Sequence, residues 1–229
     1  MSEDLTPFLT PTWFVNSDDP TIVAVAREIV GPITDERERA LRLFYGVRDG
    51  VRYTAYDLDL DRQAMRASNV LASGGSWCVP KSVLLAAMCR AVDIPCRLNY
   101  ADVCNHMATR KLLEYLGTNV FYYHGYNEIY LGGRWVKATV SFNRTLCEKA
   151  GLAPLDFDGV HDSIYHPFDL AGHRYMEYLR DHGSFADVPY EQLIARFYEV
   201  YPNMRPATSG KRRISGDFEA EIQAEAARS

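Results

Sequence analysis

The sequence predicts an α+β fold, and two features of its pattern carry that prediction. Apolar residues recur at helical spacing in the segments before Pro95 and alternate with polar residues in the segments after it. The pair Gly132-Gly133 lies between two alternating segments and is typical of a two-residue β-hairpin turn. Helices followed by hairpin-connected strands indicate helices packed on an antiparallel sheet.

Capping residues locate the first two helices. Ser17-Asp18-Asp19-Pro20 opens the first helix with acidic residues and a proline suited to the first turn, and Gly31-Pro32 stops it. Thr34 is predicted to cap the second helix, which ends near Gly50.

A third helix is predicted in the segment GGSWCVPKSVLLAAMCRA, residues 74–91. Its apolar residues recur one turn apart, and Asp93-Ile94-Pro95 ends it. Cys78 follows a glycine-containing turn and precedes the apolar run, so we expect it at the start of this helix.

Three strands are predicted over residues 96–103, 119–131 and 134–141. A two-residue turn at Gly132-Gly133 sets the register of the hairpin. It pairs Glu128 with Lys137 as a cross-strand ion pair, Tyr126 with Thr139, and His124 with Ser141.

The C-terminal part has a weaker pattern. Residues 142–206 are predicted to be irregular, apart from one helix around residues 190–201. A polar tail begins at about residue 205, and Phe218 and Ile222 predict a short terminal helix that docks on the domain or on a second chain. We therefore divide the chain into a core of residues 1–143 and an extension of residues 144–229.

The composition restricts the class of protein. A net charge of -5 argues against nucleic acid or an acidic membrane surface as the main partner. The sequence contains no run of about 18 apolar residues, the length of a membrane span. An acidic N-terminus without an apolar signal core, and five cysteines without framework spacing, predict reduced thiols in the cytoplasm.

Cys78 is the candidate nucleophile. Unpaired backbone N–H groups and the helix dipole at a helix start stabilise a thiolate and lower its pKa, and N–H groups near Trp77 and Cys78 can hold an oxyanion. A buried structural thiol is the competing interpretation for Cys78, and it is the one we adopt for Cys89 inside the apolar helix.

His124 is the candidate base. It lies on the predicted hairpin, where the hydroxyls of Thr139 and Ser141 are within range to fix its tautomer. The other histidines are interpreted as structural residues, although His161 and His166, with an aspartate between them, form a possible rival cluster.

Three segments together resemble one family. They are residues 34–53, TDERERALRLFYGVRDGVRY; residues 73–98, SGGSWCVPKSVLLAAMCRAVDIPCRL; and residues 124–139, HGYNEIYLGGRWVKAT. In this order they are similar to the helix before the active site, the nucleophile helix and the histidine hairpin of the transglutaminase-like superfamily of papain-like thiol enzymes. The resemblance implies a papain-like core.

The resemblance also implies roles for residues. It makes Cys78 the nucleophile and His124 the base and then the acid of a thiol-based acyl transfer. The family has an aspartate at the position of Thr139, so the third role departs from the pattern. Ser141 and Asn143 are alternative orienters, as are the carboxylates of three later residues, Asp156, Asp158 and Asp162. Tyr126 replaces the family's usual tryptophan and is expected near the site.

The expected function is cysteine-dependent acyl transfer or hydrolysis on an amide or thioester. The acyl donor is a small molecule, a peptide or a protein, and we expect no cofactor and no metal. The acidic run Asp57, Asp59 and Asp61 resembles the start of a calcium loop, but Arg62 and Ser68 stand where that loop needs glycine and glutamate. The alternatives are an inactive binding module of the same fold and a metalloprotein that uses the C-terminal histidines.

Overall fold

A computed structural model describes residues 3–205 and 214–227. The α-helices are Pro20–Val30 (α1), Glu36–Gly50 (α2), Ala67–Ser73 (α3), Cys78–Arg90 (α4), Arg110–Leu116 (α5), Arg144–Ala150 (α6), Tyr190–Val200 (α7) and Phe218–Ala226 (α8). The strands are Arg52–Tyr53 (β1), Gly75–Ser76 (β2), Cys96–Asn105 (β3), Val120–Leu131 (β4), Arg134–Ala138 (β5) and Met176–Phe185 (β6).

The main sheet has the strand order β5-β4-β3-β6, and every neighbouring pair is antiparallel. Helices and an antiparallel sheet confirm the predicted α+β class. The short strands β1 and β2 form a separate parallel pair that leads into α4. As predicted, helices α1 to α4 therefore precede the hairpin strands β4 and β5 in the chain.

The hairpin between β4 and β5 turns through Gly132 and Gly133, which both have positive φ, at 58° and 84°. These values are those of a type I′ turn, which matches the twist of the strands. Glu128 pairs with Lys137, as predicted. The ladder ends at Ala138, so the predicted pairs further from the turn do not form.

The chain after Ala138 pairs elsewhere. The backbone N–H of Thr139 donates to the carbonyl of Ser163 at 3.0 Å, and the N–H of Ser163 donates to the carbonyl of Lys137 at 2.8 Å. A local pattern of alternation cannot distinguish this distant partner from a continued hairpin, so the prediction of a strand to residue 141 is wrong.

Two elements were predicted as irregular segments. Helix α6 and strand β6 both lie within residues 142–206. Strand β6 is an edge strand whose first residue, Met176, is its only buried one, so it lacks the apolar alternation that marks a half-buried strand. Strand β6 pairs with β3 and belongs to the main sheet. The division of the chain into a core and an extension at residue 143 stays a prediction.

The first two helices begin close to their predicted positions. Asp19 Oδ1 accepts a hydrogen bond from Thr21 N at 3.0 Å at the start of α1. The cap of α2 is Asp35 rather than Thr34, because Asp35 Oδ1 accepts from Glu38 N at 2.8 Å. The cap therefore lies one residue later than predicted, and both threonine and aspartate are favourable capping residues.

Helix α4 lies at the centre of the molecule. It packs against α1, α2 and α3 on one side and against β3 and β4 on the other, and all of its residues are buried. A Cβ atom on Gly125 of β4 would lie only 2.9 Å from the Cα of Val79. The absence of a side chain at Gly125 therefore lets the strand approach the first turn of the helix.

Helix α8 docks on the chain's own core. Phe218 and Ile222 are buried, and the ring of Phe218 lies 5.7 Å from that of Tyr53 and 5.1 Å from that of Tyr56. Residues 206–213 of the predicted tail lie outside the described residues. Within residues 3–205 and 214–227, no helix has the length and apolar character needed to cross a lipid bilayer.

Candidate active site

Cys78 is the first residue of α4, and Trp77 before it has an extended backbone. The side chain of Cys78 is 9% exposed. Burial raises the pKa of the thiol to about 11, although the backbone N–H groups of Gly125 and Val79 hydrogen-bond to the sulfur and lower it. The prediction that the helix start depresses this pKa is therefore wrong for this structure, because loss of hydration outweighs the donors.

His124 lies on β4 and is also buried, with 4% of its surface exposed. Burial lowers its pKa to about 3, and no neighbouring carboxylate contributes to the shift. The Nε2 atom is buried without a hydrogen-bond partner, and the ring centroid lies 5.2 Å from that of Tyr165. Near neutral pH the cysteine and the histidine are thus a neutral thiol and a neutral imidazole.

Cys78 and His124 line the same cavity, which has a volume of about 40 Å³. Its walls come from β1 and the loop after it, from α5, from β4 and from the segment that contains α7. Five lining residues are aliphatic and six are aromatic, the latter being Tyr53, Trp77, Phe121, Tyr122, Phe197 and Tyr201. The fold therefore brings the two predicted reactive groups together in apolar surroundings.

Trp77 and Tyr126 differ in their placement. Trp77 lines the cavity and packs against Phe197, with ring centroids 5.9 Å apart. Tyr126 faces a neighbouring cleft, where its hydroxyl donates to Asp181 Oδ2 at 3.2 Å. Tyr126 follows His124 on the same strand but does not line the cavity that holds Cys78.

The hydroxyls of Thr139 and Ser141 are both buried without a hydrogen-bond partner. Thr139 lies beside Tyr178, and Ser141 lies beside Tyr165, the tyrosine that contacts the His124 ring. Ser141 is thus linked to the His124 ring through Tyr165, whereas Tyr178 beside Thr139 lines the neighbouring cleft. The roles of both residues as orienters of His124 stay predictions.

Asn143 has other partners. Its Oδ1 accepts from Tyr53 N at 3.0 Å, and its Nδ2 donates to Thr145 Oγ1 at 2.6 Å and to Glu219 Oε1 at 3.2 Å. Both ends of the amide are used to join β1, α6 and α8, and the role of Asn143 as an orienter of His124 stays a prediction.

The three later carboxylates also bind elsewhere. Asp156 forms ion pairs with Arg48 and Arg144. Asp158 binds the exposed ring of His161 at 2.7 Å, and Asp162 accepts a hydrogen bond from Lys137 N at 2.9 Å. None of these contacts reaches His124, because Asp156 is held by arginines of α2 and α6, Asp158 by its own loop and Asp162 by β5.

The predicted ion pair between Glu128 and Lys137 does not form. Glu128 Oε2 lies 2.6 Å from Arg97 Nε on the adjacent strand β3, and Lys137 Nζ lies 5.5 Å from the ring centroid of Tyr126. The neighbouring strand offers Glu128 a guanidinium with a better geometry, which the hairpin register alone does not reveal.

The sequence reasoning missed a group next to His124. Strand β4 has an extra residue between the pairs Ala101–His124 and Val103–Phe121, which makes a β-bulge. Tyr123 lies in this bulge with a φ of 53°. Bulges next to active sites change the direction in which a side chain points, so this irregularity decides the orientation of the residue that follows Tyr123.

Asp102 and His182 hold the bulge. Asp102 Oδ1 accepts from Tyr123 N at 3.1 Å and from His182 Nε2 at 2.7 Å. The His182 ring stacks on the Tyr123 ring, with centroids 4.2 Å apart and planes 14° apart. The available signal for Asp102 was a charged residue between the apolar pairs Tyr100-Ala101 and Val103-Cys104. No local pattern indicated His182.

The remaining candidates do not form a metal site in the part of the chain that is described. No group of three or more histidine, cysteine, aspartate or glutamate side chains is arranged to hold a metal ion there. All five cysteines are free thiols and buried. In the run that resembles a calcium loop, Asp61 Oδ1 accepts from Gln63 N at 2.8 Å and so acts as a turn cap.

Comparisons with known proteins place the sequence in a family. Residues 23–140, slightly more than half of the 229 residues, match the sequence profile of the transglutaminase-like superfamily. This range includes Cys78, His124 and Thr139. A comparison with curated proteins gives no match.

Two solved structures are similar in fold. One is named "Putative Cysteine Protease" from Cytophaga hutchinsonii, with 18% identity, a TM-score of 0.48, and coverage of 81% of this chain and 55% of that chain. The other is the arylamine N-acetyltransferase from Mycobacterium abscessus, with 16% identity, a TM-score of 0.39, and coverage of 58% and 46%. The chain thus spans about half the length of each.

An α+β domain with a cysteine at a helix start and a strand histidine beside the same cavity defines a candidate thiol site. The profile match covers both residues and most of the helices and strands that position them. The chain belongs to the transglutaminase-like superfamily.

Proposed function

We propose that the protein catalyses cysteine-dependent acyl transfer or hydrolysis on an amide or a thioester, with Cys78 as nucleophile and His124 as general base and acid. The observation that carries the proposal is the shared cavity of these two side chains at the first turn of α4. A cysteine that enters catalysis needs a base brought near it by the fold, and a neutral imidazole can accept its proton.

The first half of the reaction forms an acyl-enzyme. The sulfur of Cys78 attacks the carbonyl carbon of the acyl donor, and His124 takes the thiol proton. The carbonyl oxygen becomes an oxyanion that the N–H groups at the start of α4 stabilise. The carbon–nitrogen or carbon–sulfur bond then breaks, and His124 returns the proton to the leaving amine or thiolate.

The second half releases the acyl group. Water or an amine attacks the thioester carbon, and His124 takes a proton from the attacking water or amine. The carbon–sulfur bond to Cys78 breaks, and the thiolate recovers a proton from His124. Water yields a carboxylic acid and an amine yields an amide, so the acceptor decides between hydrolase and transferase.

The neutral resting pair determines how this site is activated. A buried thiol with a pKa of about 11 and an imidazole with a pKa of about 3 do not exchange a proton at rest. Proton transfer therefore accompanies attack on the substrate. Thr139, where the family has an aspartate, supplies a hydroxyl that can fix a tautomer but has no charge to stabilise an imidazolium, which predicts a slow enzyme.

A binding module without catalysis is the second candidate. The absence of a carboxylate beside His124 and the narrow cavity favour it. The two candidates differ in one outcome, since only the enzyme forms a covalent adduct with an activated acyl donor.

The test is mass spectrometry of the intact protein and its peptides after incubation with p-nitrophenyl acetate. We expect one acetyl group on Cys78, and no adduct in the Cys78→Ala variant. Cys104→Ala is the matched control, because Cys104 is also 9% exposed, and it should be acetylated like the wild type. His124→Ala should acylate about 10²–10⁴-fold more slowly, the usual contribution of a general base. Folded protein that acquires no adduct on Cys78 would support the binding module instead.

A further inference from the structure

The chemistry of the cavity wall limits what can bind beside Cys78. None of the thirteen lining residues in the described part of the chain has an acidic, lysine or arginine side chain, and eleven are aromatic or aliphatic. A polar or charged group placed there would lose its hydration without gaining a partner of opposite charge, whereas an apolar group gains from leaving water. The wall therefore favours an uncharged hydrocarbon group.

One side of the wall is held in place by a tyrosine. The Tyr201 hydroxyl accepts from Tyr122 N at 2.8 Å and donates to the carbonyl of Val120 at 3.1 Å. These backbone groups lie on the part of β4 that β5 does not cover, since β5 pairs only with residues 127–131. Tyr201 thus fixes the end of the α7 segment to the strand that carries His124.

The same segment contributes two further residues to the wall of the cavity. Phe197 packs between Trp77 and Tyr201, with ring centroids 5.9 Å and 5.2 Å away, and Met204 adds an aliphatic wall. The cavity volume of about 40 Å³ exceeds the minimum of about 10–15 Å³ that a cavity needs to hold one water molecule. The space suits a chain of about two to four carbon atoms.

The apolar wall beside Cys78 suits the acyl group rather than the leaving group. The acyl group stays attached to Cys78 through both halves of the reaction. The leaving group must depart, and water or an amine must take its place at the open side of the site. The apolar wall therefore contacts the part of the substrate that does not exchange.

We propose that this cavity is the acyl-binding site and that it selects short, uncharged acyl groups, from acetyl to butyryl, with Phe197 and Met204 as the length-determining residues. This inference rests on the proposed acyl-enzyme function and adds the substrate class. It excludes dicarboxylic acyl groups of the same length, because their second carboxylate would meet no positive charge in the wall.

The test uses p-nitrophenyl esters of acetate, butyrate, hexanoate and succinate. In the measured step the Cys78 sulfur bonds to the acyl carbon, the ester carbon–oxygen bond breaks, p-nitrophenolate leaves with the bonding electrons, and the thiol proton passes to His124. The release of p-nitrophenolate by each ester with the Cys78→Ala variant is subtracted first, because the carboxylate of succinate attacks its own ester carbonyl and releases p-nitrophenolate without a thiol. The remaining rate is divided by the rate of the same ester with N-acetylcysteine, corrected in the same way for release in buffer. We expect butyrate to react at least tenfold faster than succinate, its isostere with a terminal carboxylate, and at least tenfold faster than hexanoate.

Variants test the residues. Met204→Ala and Phe197→Ala should each raise the ratio of hexanoate to acetate rates by about tenfold. Gln192→Ala, on the exposed surface of α7, is the matched control and should leave this ratio unchanged. Circular dichroism identifies any variant that has lost its fold, and Met204→Ala alone suffices if Phe197→Ala is unfolded.

The outcomes separate the two proposals. If no ester acylates Cys78, the proposed acyl-enzyme function fails. If Cys78 is acylated but succinate and hexanoate react as fast as butyrate, the function stands and the selectivity inference is overturned. The selectivity inference is also overturned if the ratio of hexanoate to acetate rates changes as much in Gln192→Ala as in Met204→Ala. The change in the ratio would then not come from the cavity wall.

Discussion

His182 Nε2 lies 2.7 Å from Asp102 Oδ1, although the two residues are 80 positions apart in the chain. Both side chains are about nine-tenths buried. The pair closes around Tyr123, whose N–H donates to Asp102 and whose ring stacks on His182. Since Tyr123 immediately precedes His124, this contact ties the candidate base to the edge strand β6.

The first prediction concerns Asp102. Asp102→Ala leaves the N–H of Tyr123 and the ring of His182 buried without an acceptor, which should lower the free energy of unfolding by about 2–4 kcal/mol. Asp102→Asn keeps an acceptor for Tyr123 and should cost about 1 kcal/mol. Urea denaturation measures both, and the acylation rate at Cys78 should fall in the same order.

A structural role alone would lower the amount of folded protein without changing its rate. We therefore expect the rate per folded molecule to fall in Asp102→Ala and to recover largely in Asp102→Asn. Glu177→Gln, at an exposed position of β6, serves as the control and should change stability by no more than about 0.5 kcal/mol. Equal rates per folded molecule in all three variants would refute a positioning role.

The second prediction concerns Gly125. A Cβ atom there would lie 2.9 Å from Val79 Cα and 3.2 Å from Ser82 Oγ. Gly125→Ala must push β4 away from the first turn of α4, which should cost about 1–3 kcal/mol of stability and lengthen the hydrogen bond from Gly125 N to the Cys78 sulfur. Thermal unfolding and the acylation rate together report both effects.

Gly50 provides the matched control for that substitution. A Cβ atom on Gly50 meets no atom within 4 Å, and its φ is not positive. Gly50→Ala should leave stability unchanged or raise it by about 0.4–1 kcal/mol. Equal stability of Gly125→Ala and Gly50→Ala would mean that the close approach of β4 to α4 does not contribute to the free energy of unfolding.

The third prediction concerns Lys81, one turn after Cys78. Lys81 is fully buried, and its Nζ donates to the carbonyls of Arg48 and Val51 at the end of α2. Burial lowers its pKa to about 7, below the value of about 10.4 in an unfolded chain. Between these two values the unfolded chain binds more protons, so stability should rise with pH.

The measurement is the urea midpoint between pH 7 and 8.5. Above about pH 9 the raised pKa values of the buried thiols Cys78 and Cys147 act with the opposite sign, because the unfolded chain loses those protons first. Lys81→Met should flatten the rise below pH 8.5 and destabilise the fold, since two carbonyls lose their donor. A slope that Lys81→Met leaves unchanged would assign the pH dependence to another group.

The fourth prediction addresses the third member of the site. The hydroxyl of Thr139 is buried without a partner in the resting structure, so Thr139→Val should keep or slightly raise stability. If this hydroxyl orients His124 during the reaction, the acylation rate falls by about tenfold or more. Ser141→Ala is the parallel variant, and a larger loss there would make Ser141 the orienter.

The sequence by itself determined the local elements and the chemistry they present. Capping side chains began α1 and α2, the apolar run defined α4 with Cys78 at its start, and the glycine pair defined the turn of the β4–β5 hairpin. These features depend on residues within a few positions of one another. The three ordered segments also predicted the family, which the profile match confirms.

Only the tertiary structure decided what surrounds these groups. The exposed edge strand β6, the bulge at Tyr123 and the contact between Asp102 and His182 each depend on partners far apart in the chain. Burial also reversed the predicted direction of the Cys78 pKa shift, because the loss of hydration depends on every element packed around the thiol. Residues close together in the sequence specify where helix α4 starts. The packing of distant segments decides how much water reaches Cys78 in its first turn and how large the cavity beside it is.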